Sequence, residues 1–118
     1  MEALTPASGF RDLDVLVRET FRAAARFRGE GGAGLAERLR DRVVDAGGWW
    51  MRGQSGGGGD AFSEAGVRLL EGRWILYVAR RCGYCDGSVY RSLSRRFDRA
   101  EARLAEHGSG RLRPPDAS

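Results

Sequence analysis

The stretch GSVYRSLSRRFDRAEARLAEH, residues 87–107, carries Val89, Leu93, Phe97, Ala100 and Leu104 at spacings of three and four. At about 100° per residue that spacing aligns the five side chains on one stripe of an α-helix, which the two-residue period of a strand cannot do. The stretch contains no Pro, and its other positions are mostly Arg, Ser and Glu. It reads as an amphipathic helix that starts after Asp86 and runs to about His107, with one face for a core.

The same period recurs toward the N-terminus. A helix from about Asp60, placed as its N-cap, to Arg81 includes Phe62, Leu69, Leu70, Trp74, Ile75, Leu76, Tyr77 and Val78. These cover well over half of the helical wheel, and a helix apolar on several sides must be covered on several sides, which in so small a domain points to oligomerisation. A helix from about Leu35 to Arg52 has the seam Leu35, Leu39, Val43, Ala46 and Trp50. Gly47 and Gly48 within it each cost roughly 1 kcal/mol relative to Ala, so they mark either a close helix approach or a frayed last turn. A helix from about Asp12 to Arg28 has Leu13, Leu16, Val17, Phe21, Ala24 and Phe27 as one buried stripe.

The chain has 118 residues, enough for one domain, with 42% hydrophobic and 31% charged residues. Pro occurs only at positions 6, 114 and 115, and Val, Ile and Thr together number ten. The expected class is therefore all-α. Clusters of Gly at 29–34, 53–59, 83 and 87, and 108 and 110 divide it. Short connections favour antiparallel neighbours, giving an up-down-up-down antiparallel four-helix bundle over 10–107, an N-terminal extension over 1–9 and a flexible tail over 108–118. The linker from Gln54 to Asp60 reads as the loosest connection. It is no phosphate cradle, because it lacks the terminal Lys-Ser/Thr and the preceding strand of a Walker loop.

All 20 basic residues are Arg and none is Lys, which removes P-loop, Schiff-base and Ser-Lys chemistry. No secretory leader or membrane span is readable, and two Cys make no disulfide framework, so a cytoplasmic location is expected. His107 is the single imidazole and no triad forms around it. Cys82 and Cys85 form a lone CxxC without the second half of a zinc site or the strand of a redox motif. Glu37, Asp41 and Asp45 lack the Glu-x-x-His pair of di-iron bundles and read as a solvated acidic face. Glu71, set in the most apolar helix, needs a partner such as Arg if buried. No catalytic, cofactor or metal site is assigned, and the chain is read as non-enzymatic.

The charge is uneven: residues 65–118 carry 11 Arg against 6 acids, and residues 1–64 carry 9 against 10. Arg91, Arg95, Arg99 and Arg103 recur every four residues, with Arg96 on the same polar side, and together span about 140° of the wheel. Arg80 and Arg81 extend this row. An unrelieved row of like charge suits an anion, and bidentate Arg contacts with phosphate supply affinity without sequence readout. Two other accounts stand beside nucleic-acid binding. One is a solvated face, and the other is pairing with Glu37, Asp41 and Asp45 of a neighbouring subunit. Trp50 and Trp74 follow core seams, whereas Trp49 and Tyr90 lie at seam edges, where they can cap an interface or stack on a base.

Phe10-Arg11-Asp12-Leu13-Asp14-Val15 resembles the Phe-x-x-Leu-x-Val opening of small bacterial four-helix-bundle proteins, which include those encoded in 23S ribosomal RNA intervening sequences and the accessory variability determinant (Avd) proteins of diversity-generating retroelements. Leu70-Glu71, Leu76, Ala79-Arg80-Arg81-Cys82-Gly83-Tyr84, Tyr90 and Leu93 resemble that family's helix 3 end, Arg-x-Gly-Tyr turn and helix 4 start. Trp49-Trp50-Met51-Arg52-Gly53 departs from the family's Asn-Ile-x-Glu-Gly, keeping the Gly. The resemblance implies a homopentameric barrel with basic surfaces and, for the retroelement branch, binding to a reverse transcriptase and RNA. The expectation is thus an oligomeric RNA-binding accessory protein, with a protein-only scaffold as the alternative.

Overall fold

The structure, a computed structural model, describes residues 8–112 and is all-α: α1 (Ser8–Ala24), α2 (Gly29–Arg52), α3 (Gly58–Arg81) and α4 (Gly87–Leu112), with no strand among the described residues. Two observations orient the helices. At one end, the Arg28 backbone N–H donates to the Tyr84 carbonyl at 2.9 Å, tying the α1–α2 turn to the α3–α4 turn. At the other end Trp50 meets Phe10, Phe62 and His107, with ring centroids 6.5, 5.5 and 4.8 Å away. Neighbours are therefore antiparallel, running up-down-up-down. Backbones pack between consecutive helices and between α4 and α1, while the diagonal pairs α1/α3 and α2/α4 stay apart.

The core follows the seams. Leu13, Leu16, Leu39, Val43, Ala46, Trp50, Phe62, Leu69, Leu76, Leu93, Phe97, Ala100 and Leu104 are all buried in one cluster. In α1 the buried stripe includes Thr20 and Ala23, whereas Phe21 lies outside under the Arg40 guanidinium, 5.7 Å from its ring centroid. Trp74 is the larger correction: it is not in the core but 63% exposed.

Helix ends differ from the expected ones for identifiable reasons. α1 stops at Ala24 instead of Arg28, because Arg26 and Phe27 donate to carbonyls three residues back and tighten the last turn. α2 starts at Gly29 and takes in the Gly run, against which the Tyr84 ring lies: a Cβ on Gly31 would come within 2.7 Å of Tyr84 Cζ, so only Gly fits there. Gly47 and Gly48 have no neighbour where a Cβ would be, and α2 continues past them, so they neither mark a close approach nor end the helix. Between α2 and α3 the chain makes a π-helical turn over Gly53–Gly57 in place of an irregular linker, reversing at Gly56 with φ 115°. Asp60 consequently lies inside the first turn of α3 and is not its N-cap. Helix α4 extends five residues beyond His107; of the expected tail, 113–118, and of the expected extension, 1–7, lie outside the described residues.

Candidate nucleic-acid interface

The α3–α4 turn organises the basic end of the bundle. Gly83 adopts φ 81°, Tyr84 N–H donates to the Ala79 carbonyl at 2.9 Å, and Gly83 N–H donates to the Arg80 carbonyl at 3.1 Å. This is a Schellman closure of α3, and it gives the Arg-x-Gly-Tyr segment a structural role: Gly83 takes the left-handed position and Tyr84 packs on the α2 glycines. Asp86 then starts α4. The Val89 N–H donates to its carboxylate at 2.9 Å and the Ser88 hydroxyl at 3.0 Å, and these bonds hold the Asp86 carboxyl below its ordinary value.

The predicted arginines divide into free and engaged groups. Arg91, Arg95 and Arg99 are exposed and Arg96 is half-buried, and none of the four forms an ion pair among the described residues. Arg81 is likewise exposed and unpaired there. Arg103 is engaged: its Nε donates to Asp12 at 2.9 Å and its Nη1 to Glu106 at 3.3 Å, bracing α4 on α1, and the Asp12 bond foremost raises its pKa. Arg80 is partly engaged, donating from Nη1 to the Cys85 carbonyl at 3.4 Å. The other guanidinium nitrogen of Arg80 and Nη1 of Arg91 both lie within 3.3 Å of where a Gly87 Cβ would be, so two like charges converge beside the start of α4. That site already carries the positive end of the helix dipole.

Sequence reasoning missed the contribution of α1. Arg18, Arg22 and Arg26 recur every four residues, the spacing that singled out the α4 row. Arg22 and Arg26 line a cleft of about 390 Å³ between α1 and α4, together with Glu19, Ser88 and Ser92. Arg22 pairs with Glu19 at 3.0 Å, whereas Arg18 and Arg26 are exposed without ion pairs among the described residues. Helices α1 and α4, which pack side by side, therefore each carry an arginine row, and the cleft between them is lined by Arg22 and Arg26 of α1 and by Ser88 and Ser92 of α4. Glu37, Asp41 and Asp45 are exposed on α2, diagonal to α4, and form no ion pair among the described residues.

Cys82 is exposed and Cys85 buried, burial foremost raising the Cys85 thiol pKa, and Cys85 Sγ points to the Asp86 carbonyl at 3.5 Å. No group of three metal-ligating side chains occurs among the described residues. His107 is packed on Trp50 and Phe62 with Nδ1 3.2 Å from the Arg103 carbonyl. Glu71 is partly exposed and pairs with Arg42 at 3.0 Å and Arg68 at 3.6 Å. Trp49 and Tyr90 are half-buried, and Arg52 covers the Trp49 ring at 4.4 Å. No helix among the described residues is long and apolar enough to cross a membrane. Comparison with protein-family models, curated proteins and solved structures finds no match to this chain.

Proposed function

We propose that this protein is a non-enzymatic, homo-oligomeric RNA-binding accessory protein of the cytoplasm whose α1–α4 side contacts the phosphate backbone. The observation that carries the reading is the exposed Arg91-Arg95-Arg99 row, free of carboxylate partners among the described residues, with the exposed Arg18 and Arg26 on the neighbouring α1. Carboxylates are available in the chain, yet they pair with Arg42, Arg68, Arg73 and Arg103 and leave this row free. Unpaired guanidinium groups at one-turn spacing suit a polyanion, releasing its counterions on contact. Several copies would raise affinity by multivalency. The partner reverse transcriptase and the five-fold assembly come from the family resemblance and complete the proposal.

The test is RNA binding across a salt series. Replacing Arg91, Arg95 and Arg99 with Gln is expected to weaken binding about 10- to 100-fold and to flatten the log–log salt slope by up to about three per chain, with the melting temperature unchanged. An unaltered slope removes α4 from the interface.

A second reading is a protein-only scaffold. The acidic row on α2 and the basic row on α4 face away from each other on diagonal helices, so they can meet only between copies, head to tail, as a closed ring requires. Under this reading, reversing Glu37, Asp41 and Asp45 to Arg splits the oligomer, and RNA leaves its mass unchanged.

A further inference from the structure

The outward face of α3 carries a second, independent pattern. Asp60, Ser63, Val67, Leu70, Trp74, Tyr77 and Arg81 follow one another at spacings of three and four throughout, the a/d repeat of a coiled-coil seam, and every one is exposed. Its middle is apolar: Val67 is 43% exposed, Leu70 65%, Trp74 63% and Tyr77 43%. Trp74 and Tyr77 stack at 5.7 Å and form a raised rib. A groove of about 350 Å³ runs on either side, one against Tyr90 and Ser94 of α4 and the other against Arg38 and Arg42 of α2. A rib between two grooves is the shape that a second helix complements. The core-facing seam of the same helix, with Phe62, Leu69 and Leu76, is already filled from within.

We infer that this seam is covered by the α3 of a second copy, packed antiparallel about a two-fold axis near Gly72. The charges at its ends select the direction. A parallel pair would set Asp60 against Asp60 and Arg81 against Arg81. The antiparallel pair sets Leu70 against Trp74 and Val67 against Tyr77, and brings Arg81 of each copy beside Ser63 and Asp60 of the other. Opposite charges then close both ends of an apolar centre anchored by aromatic side chains. The contact is isologous and pairs two copies without by itself propagating a ring. It rests on the homo-oligomeric reading above but sets two copies in place of the five that the family resemblance implies, and it leaves the α1–α4 side of both copies open.

The experiment is sedimentation equilibrium of the full chain with charge-exchange variants. The wild type is expected to have the mass of two copies. Leu70→Glu with Trp74→Glu changes only exposed residues and should weaken pairing at least about 100-fold with helicity retained. Arg81→Asp should weaken it about tenfold, and adding Asp60→Arg should restore it to within about threefold, because the two ends exchange signs together. A monomer at 100 μM (about a hundredfold above a micromolar Kd), an exclusively five-copy mass, or an Arg81→Asp effect that Asp60→Arg fails to rescue overturns the antiparallel pair. RNA titration of the same variants separates the two proposals. A Leu70→Glu/Trp74→Glu monomer that keeps its salt-dependent RNA binding is expected, and an intact pair that ignores RNA overturns the RNA reading alone.

Discussion

Helices α3 and α4 are neighbours of similar length, each with an inward seam that fills the core, yet their outer faces differ in kind. Outside α4 the seam gives way to Arg91, Arg95 and Arg99 in water, whereas outside α3 it gives way to Val67, Leu70, Trp74 and Tyr77. Both faces go beyond what folding one bundle requires. Unpaired charge costs little in water and is available to a polyanion, while exposed aromatic and aliphatic surface is released from water only when another surface covers it. Under the two proposals above, the helices divide two kinds of recognition between them.

The sharpest way to break this contrast is to remove one large ring from each side of it. Phe97→Ala, inside, should cost about 3–5 kcal/mol by chemical denaturation. Trp74→Ala, outside, should change monomer stability by less than about 0.5 kcal/mol, measured below the pairing concentration. Gly72→Ala tests how closely α3 and α4 fit. A Cβ there would lie 3.1 Å from the Phe97 ring and 3.6 Å from Leu39 Cδ1, so an overpacking cost of about 1–3 kcal/mol is expected, and no cost would mean that the ring yields freely. Arg73 ties the outer edges of the two helices, donating to Asp98 and, at 2.9 Å, to Glu101. Arg73→Met should cost about 1 kcal/mol or less, a loss that 1 M salt should reproduce in the wild type.

The smallest effect concerns the start of α4 and its dependence on pH. The Asp86 pKa is lowered in the folded chain, so its contribution is present above the unfolded carboxyl value of about 3.9 and fades as pH falls through the lower folded value. Asp86→Asn keeps an N-cap acceptor without the titration. The melting-temperature gap between wild type and this variant should be constant above about pH 5 and close in acid. A gap that persists below pH 2, about two units under the ordinary carboxyl value, would assign Asp86 another role.

Much of this fold is legible in the sequence because helical periodicity is local. The seam of α4 was complete from Val89 to Leu104, and that of α2 from Leu35 to Trp50, since each follows from 100° per residue. The Gly segments were less legible. Residues 29–34 read as a break, yet they lie within α2, and Gly31 and Gly32 lack side chains there because Tyr84, more than fifty residues away, occupies the space that these would fill. The interface was half legible: Arg91, Arg95 and Arg99 stood out as a row, but the engagement of Arg103 by Asp12 depends on α1 lying beside α4. The Arg18-Arg22-Arg26 row has the same spacing, but that it stands beside the α4 row follows only from α1 packing on α4.

Local sequence determined the helical class, the four apolar seams and the arginine rows, because period and charge spacing act between residues within two turns of one another. Tertiary structure decided which of the two apolar seams of α3 turned inward, and so why Phe62, Leu69 and Leu76 are buried while Trp74 is exposed. It also decided which arginines found carboxylates and which were left facing water. Both outcomes depend on the neighbours of each helix face, and those neighbours come from distant parts of the chain.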